Sequence, residues 1–262
     1  MKYLVTGPNG FVGARIMDEL KDAVPAPSLR DADEDTVRRL IDTVQPDVII
    51  HTAAVSDIGA CAKDPEGSYR ANVLLPVWLV KTGVKSVLFS SDQIYSGCDT
   101  KGPYTEDEAG PANLYAREKL EMEQRALDID PKTVLLRATW MYDMPRYGSP
   151  NRGNFLVNML RSPELAFSSC QYRAVTYVRE VSAWIAKASQ LPGGVYNYGS
   201  ENNLNALETA QWLAEALKLR ITLKDAAPAH NLWMDCTRIK KAGICFKTTI
   251  DGLKQCIQDY GL

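Results

Sequence analysis

Apolar residues in this chain gather into short unbroken runs separated by amphipathic stretches. Tyr3-Leu4-Val5, Val48-Ile49-Ile50, Val87-Leu88-Phe89 and Val134-Leu135-Leu136 are apolar on successive residues. Such runs suit strands buried on both faces of a parallel sheet rather than the alternating pattern of a half-solvated one. Between them lie segments with helical periodicity: 14–23, 34–44, 69–80 and the stretch YAREKLEMEQRAL from Tyr115. Strands alternating with helices at this rhythm predict an α/β fold built on a doubly wound parallel sheet. The second strand is poorly marked, and Ala26-Pro27-Ser28-Leu29 is the expected place for it.

Beyond residue 150 the pattern loosens. A short helix is predicted over 155–160, a strand over 172–177, a helix over 179–190, a last sheet strand over 195–199 and an amphipathic helix over 207–217. A soft boundary follows: residues 1–150 as a dinucleotide-binding domain, and 151–262 as a smaller C-terminal lobe for substrate. The chain is expected to cross back to the sheet near 172–200.

Candidate chemistry lies where the apolar runs end. The first run leads into Gly7-Pro8-Asn9-Gly10-Phe11-Val12-Gly13, a G-x-x-G-x-x-G turn that follows a strand and opens a helix. Glycines so placed permit a tight turn and close backbone approach to a pyrophosphate, although such a turn can also merely join the two elements. After the second strand an acid favours NAD and an arginine NADP; Arg30 and Asp31 stand together, so both remain open. Asp33 reads as the N-cap of the following helix. Ala53 and Ala54 end the third run, and their small side chains let a ligand lie against the backbone. Asn72 is read either as a local backbone hydrogen bond or as a buried amide that orders the cofactor side of the site.

Tyr115 and Lys119 stand four residues apart and so share a helix face. An ammonium there is expected to lower the phenol's pKa toward the working range of an acid–base catalyst. Ser91, at the polar end of an apolar strand, adds a hydroxyl.

Composition narrows the classes. The chain has 262 residues, 45% of them hydrophobic, and 30 basic residues against 32 acidic ones. That balance gives no basic surface for nucleic acid, and the apolar run 73–80, interrupted by Pro76, is far too short for a membrane span. Six cysteines without C-x-x-C spacing and only two histidines suggest free thiols in a reducing, cytoplasmic setting and no metal site.

The segments TGPNGFVG, HTAA, RANVLLP, FSSDQIYSG, PYTEDEAGPANLYAREKLEMEQ, LLRATWMY and QYRAVTYVREV together resemble an extended short-chain dehydrogenase/reductase. Within that superfamily they resemble most the dTDP-4-dehydrorhamnose reductase group of nucleotide-sugar enzymes. The resemblance implies a Rossmann-type domain, NADP or NAD as cofactor, a nucleotide-sugar substrate and scope for a homodimer. It implies reduction of a sugar ketone, with Ser91, Tyr115 and Lys119 catalytic. Gly7, Gly10, Phe11, Val12 and Gly13 would meet cofactor phosphate, and Ala53 and Ala54 the adenosine side. Ser56, Gln93, Trp140 and Arg173 match substrate-contacting positions, Arg173 as a partner for the nucleotide diphosphate. The alternatives are an epimerase or dehydratase with tightly bound NAD, and a non-catalytic, NADP-binding regulatory subunit.

Overall fold

The apolar runs of the N-terminal half become the centre of a parallel sheet. The computed structural model describes residues 1–145, 153–227 and 230–262. Strands are β1 (Tyr3–Thr6), β2 (Val24–Pro25), β3 (Val48–His51), β4 (Lys85–Ser91), β5 (Val134–Ala138), β6 (Trp140–Tyr142), β7 (Glu164–Phe167), β8 (Val175–Tyr177), β9 (Gly194–Tyr198) and β10 (Thr222–Asp225). Six of them form the main sheet in the order β2-β1-β3-β4-β5-β9, every neighbouring pair parallel. Leu4, Val5, Ile49, Ile50, Val87, Leu88, Leu135 and Leu136 are fully buried. Both faces of the central strands are therefore covered, which is why they read as unbroken apolar runs.

Helices cover the sheet: α1 (Phe11–Glu19), α2 (Glu34–Val44), α3 (Ile58–Lys63), α4 (Pro65–Tyr69), α5 (Leu75–Lys81) and α6 (Leu114–Ile129) in the first half. Next come α7 (Phe155–Arg161), α8 (Val178–Ala183), α9 (Ile185–Ala188), α10 (Ala206–Ala216), α11 (Thr237–Lys241) and α12 (Thr249–Tyr260). A π-helical segment, Arg70–Leu74, joins α4 to α5 within the expected helix over 69–80. Asp33 caps α2 as its sequence position predicts, accepting from Thr36 N at 2.8 Å. Among the described residues no helix is long and apolar enough to cross a membrane.

Two sequence expectations need correction. The second strand is Val24–Pro25, not 26–29: Ala26 N still donates to Val5 O at 2.8 Å, but Pro27 has no N–H to carry the ladder further. The strand begun by the apolar run at Val134 ends at Ala138, and a separate strand starts at Trp140. β6 leaves the main sheet and pairs with β8, and Thr139 Oγ1 meets Thr176 Oγ1 at 2.6 Å where the two diverge. The strand expected over 172–177 ladders only over Val175–Tyr177. The pair β7–β10 had no sequence signal. The proposed boundary at residue 150 lies outside the described residues. The sixth strand of the main sheet, β9, comes from the C-terminal half, while Tyr142, Phe155, Met159, Tyr177, Leu213 and Leu253 build a second core there.

A buried ion pair fixes the long loop ahead of α6. Arg137 on β5 holds Glu123 of α6 through Nε and Nη2, at 3.0 and 2.7 Å. Its Nη1 donates to Tyr95 Oη and to the carbonyls of Glu106 and Glu108. One guanidinium thus ties the helix, the sheet and the loop together, and its loss would strand a buried carboxylate.

Candidate active site

β2 and β3 lie on opposite sides of β1, so the direction of winding changes between β1 and β3. Open α/β sheets bind ligands in the crevice outside the carboxyl ends of strands at such a point. A cleft of about 1190 Å³ opens there. Its lining runs from the glycine turn through residues 26–31 and 52–56 to Ser91, Tyr115, Lys119, Trp140 and Arg173.

The glycines are there for the turn's geometry. Gly7 has φ +67°, a left-handed conformation that suits glycine. A Cβ on Gly13 would stand 2.1 Å from the Gly7 carbonyl oxygen and 2.8 Å from Thr52 Oγ1. Gly10 N closes the turn onto Gly7 O at 2.9 Å and caps α1, where no side chain satisfies the first-turn N–H groups and no acid stands in that turn. A helix N-terminus without a side-chain cap, opening onto a cleft through a turn too tight for any Cβ at Gly13, fits a pyrophosphate. Phe11 and Val12 line the same wall, and Phe11 remains exposed.

Across the cleft, Thr52 Oγ1 donates to Thr6 O at 2.7 Å and Ala53 and Ala54 line the wall. Asn72 is fully buried and does not line the cleft. Its Oδ1 accepts from Val55 N at 3.0 Å and its Nδ2 donates to Val55 O at 2.9 Å. It therefore holds the wall's backbone from behind, as a buried amide that orders the site, and does not itself line the cleft. The π-helical turn that carries it is a local departure of the kind that gathers at functional sites.

Arg30 and Asp31 line the far end of the cleft and both are exposed. Asp33 is used as a cap, leaving Asp31 as the acid near that wall. Arg70, which the sequence reading passed over, also lines it; its guanidinium donates to Ala32 O and lies 5.8 Å from the Trp78 ring centre.

At the other end, the carboxyl terminus of β4 delivers Ser91 and the first turn of α6 delivers Tyr115. Asn113 caps that helix, accepting from Ala116 N at 2.9 Å. Tyr115 and Lys119 are buried, and Lys119 Nζ donates to Phe89 O at 2.9 Å. Burial pushes the Lys119 ammonium down to about 8, against the pull of Glu123 and Glu118. The expected lowering of the Tyr115 phenol is not found. Burial pushes it up; a hydrogen bond from Ser91 opposes that, while the negative charges of Asp92 and Glu118 add to it. The phenol therefore stands protonated, as a proton donor must.

Asp92, next to Ser91, is buried, and burial raises its carboxyl while Arg173 holds it down. Arg173 forks onto it, Nε to Oδ2 at 3.0 Å and Nη2 to Oδ1 at 3.3 Å, and lies 5.4 Å from the Trp140 ring centre. The arginine expected to meet a diphosphate is thus committed to an internal carboxylate, although it still borders the cleft. Gln93 accepts from Asn113 Nδ2 at 3.2 Å and lines the cleft with Ser56 and Trp140. His51, the last residue of β3, is buried with Nδ1 2.7 Å from Thr6 Oγ1. Among the described residues no cluster of His, Cys, Asp and Glu could hold a metal ion.

A family model described as the RmlD substrate binding domain matches residues 1–259. The spore coat polysaccharide biosynthesis protein SpsK of Bacillus subtilis is 24% identical, over 98% of this chain and 97% of its own. The methionine adenosyltransferase 2 subunit beta of Xenopus laevis is 27% identical over 94% of this chain and 84% of its own. A crystal structure of dTDP-4-dehydrorhamnose reductase from Bacillus anthracis in complex with NADP superposes with a TM-score of 0.85. It is 21% identical and covers 98% of this chain and 99% of its own.

Proposed function

The chain belongs to the RmlD substrate-binding-domain family, and from that premise we propose an NAD(P)H-dependent reductase of a nucleotide-linked 4-keto-6-deoxy sugar, similar to dTDP-4-dehydrorhamnose reductases. The observation that carries the reading is the convergence of Ser91, Tyr115 and Lys119 on the cleft that the glycine turn also lines. The same reading carries a cytoplasmic setting.

Each side chain has a task. The glycine turn and the N-terminus of α1 receive the pyrophosphate. When bound, the dinucleotide supplies a hydride to the ketone carbon. The ketone oxygen then gains negative charge, and Tyr115, protonated in its buried setting, donates its phenolic proton there. Ser91 hydrogen-bonds the same oxygen and steadies the phenolate left behind. The Lys119 ammonium offsets that negative charge at short range in a water-poor site. Trp140 covers the sugar side of the cleft, with Ser56 and Gln93 lining it.

A second reading, a cofactor-binding subunit without turnover, is favoured by one observation: the likeness to methionine adenosyltransferase 2 subunit beta runs over 94% of the chain. One assay separates the two. Steady oxidation of NADPH or NADH in the presence of a dTDP-linked 4-keto-6-deoxy sugar is expected. Cofactor binding with no oxidation on any dTDP- or UDP-linked keto sugar overturns the first reading in favour of the second.

A further inference from the structure

Glu118, between Tyr115 and Lys119 in sequence, has a buried carboxylate to which the reaction above gives no task. Its Oε2 accepts from Ser68 Oγ at 2.6 Å and from Asn72 Nδ2 at 2.8 Å. Both donors are neutral. Its Oε1 is buried with no hydrogen-bond partner, and among the described residues no cation stands within ion-pair distance of it. Glu123, the other buried carboxylate of α6, is neutralised by Arg137. A buried carboxylate with no paired cation is costly to keep. The nearby positive charge is Lys119, itself buried, donating to the Phe89 carbonyl and lying 6.0 Å from the Tyr115 ring centre.

We propose that Glu118 is a positioning residue for the reduction, a buried counter-charge built into the catalytic helix beside Lys119 and one turn from Tyr115. Through Asn72 it also braces the Val55 backbone on the cofactor wall. The inference rests on the reductase reading and deepens it: a carboxylate here keeps the site loaded with the proton that a ketone reduction consumes.

The surrounding charges are consistent with that role. Around Lys119 and Tyr115 stand Cys61 from α3, Asp92 after β4, His51 from β3, and Glu118 and Glu123 from α6 itself. Asp92 is offset by Arg173 and Glu123 by Arg137. Glu118 is the carboxylate of this set without a cation of its own, so its removal should be felt at the two catalytic groups.

The test uses two neutral variants, Glu118→Gln and Glu118→Met, with Glu118→Asp as the charge-keeping control. Removing a nearby negative charge lets both Lys119 and Tyr115 lose their protons at lower pH. The alkaline limb of the kcat profile is therefore expected to fall by about one pH unit in either neutral variant. It should stay near its wild-type position in Glu118→Asp. A merely structural role would change kcat or KM while leaving the limb in place. The pH dependence of NADPH affinity, read without any sugar, should move in the same sense, because Lys119 would lose its charge earlier. A neutral variant that folds and keeps the wild-type limb and the wild-type pH dependence of binding overturns the proposal. Absence of turnover by the wild-type protein would instead count against the reductase reading, with the binding measurement still deciding the role of Glu118.

Discussion

Arg173 grips Asp92 with two hydrogen bonds, at 3.0 and 3.3 Å, immediately beside Ser91. A fork of this kind fixes direction as well as distance, so an arginine from the C-terminal half sets the backbone on which the Ser91 hydroxyl stands. Asp92 is almost fully buried and Arg173 only one-fifth exposed. Arg173→Ala leaves that carboxylate unpaired and should cost about 3 kcal/mol of stability. Asp92→Asn, which removes the buried charge along with its partner's reason to stay, should cost less. Urea unfolding of the two variants side by side checks the order; equal losses would mean that the pair is not the source of the cost.

Tyr115→Phe removes the proton donor and little else, since the ring packs in the same place. Turnover should drop by roughly 10²-fold or more, with cofactor Kd nearly unchanged. Single-turnover kinetics alongside a cofactor titration reads both. Turnover near the wild-type value would remove Tyr115 from the mechanism.

Gly13→Ala places a methyl group 2.1 Å from the Gly7 carbonyl oxygen. Backbone must move to admit it, and the moving part is the phosphate turn itself. Stability should fall by about 2 kcal/mol, and cofactor affinity should fall with it. Thermal unfolding with and without NADPH gives both quantities. A variant that still gains the wild-type rise in Tm on adding NADPH would show that the turn does not contact cofactor.

His51 gives the fold its own acid sensitivity. Burial, with help from the charge of Lys119, pushes its imidazolium down to about 3 from an unfolded value of 6.5. The unfolded chain therefore binds a proton between those values that the folded chain refuses. Stability falls as pH drops below about 6.5, and the loss levels off near 3. His51→Gln, which cannot titrate, should lose less stability than wild type between pH 7 and pH 5. Unfolding curves at the two pH values provide the comparison, and parallel losses would remove His51 as the cause.

Legibility differed from element to element. The runs at Leu4, Ile49, Leu88 and Leu135 announced central strands because residues buried on both faces must be apolar in succession. Tyr115 and Lys119 announced a shared face because four residues make about one helical turn. The edge strand Val24–Pro25 was misplaced by two residues, since two ladder residues next to prolines carry almost no pattern. β7 has no fully buried position and β10 is exposed except at Leu223, and their pairing depends on chain brought together from 58 positions away at Glu164 and Thr222. Glu118 and Asn72 were visible as residues, but nothing in a helix's spacing tells that one amide will bracket a backbone on a different element.

The order of strands and helices, the glycine turn and the spacing of the acid–base pair belong to the sequence alone, because each rests on local periodicity or on backbone sterics. Partnerships and charge states belong to the tertiary structure. Arg173 meets Asp92 across 81 positions, and burial, not the neighbouring ammonium, decides the state of the Tyr115 phenol. Solvation and long-range electrostatics depend on what surrounds a group in space, and that is known only once the chain has closed on itself.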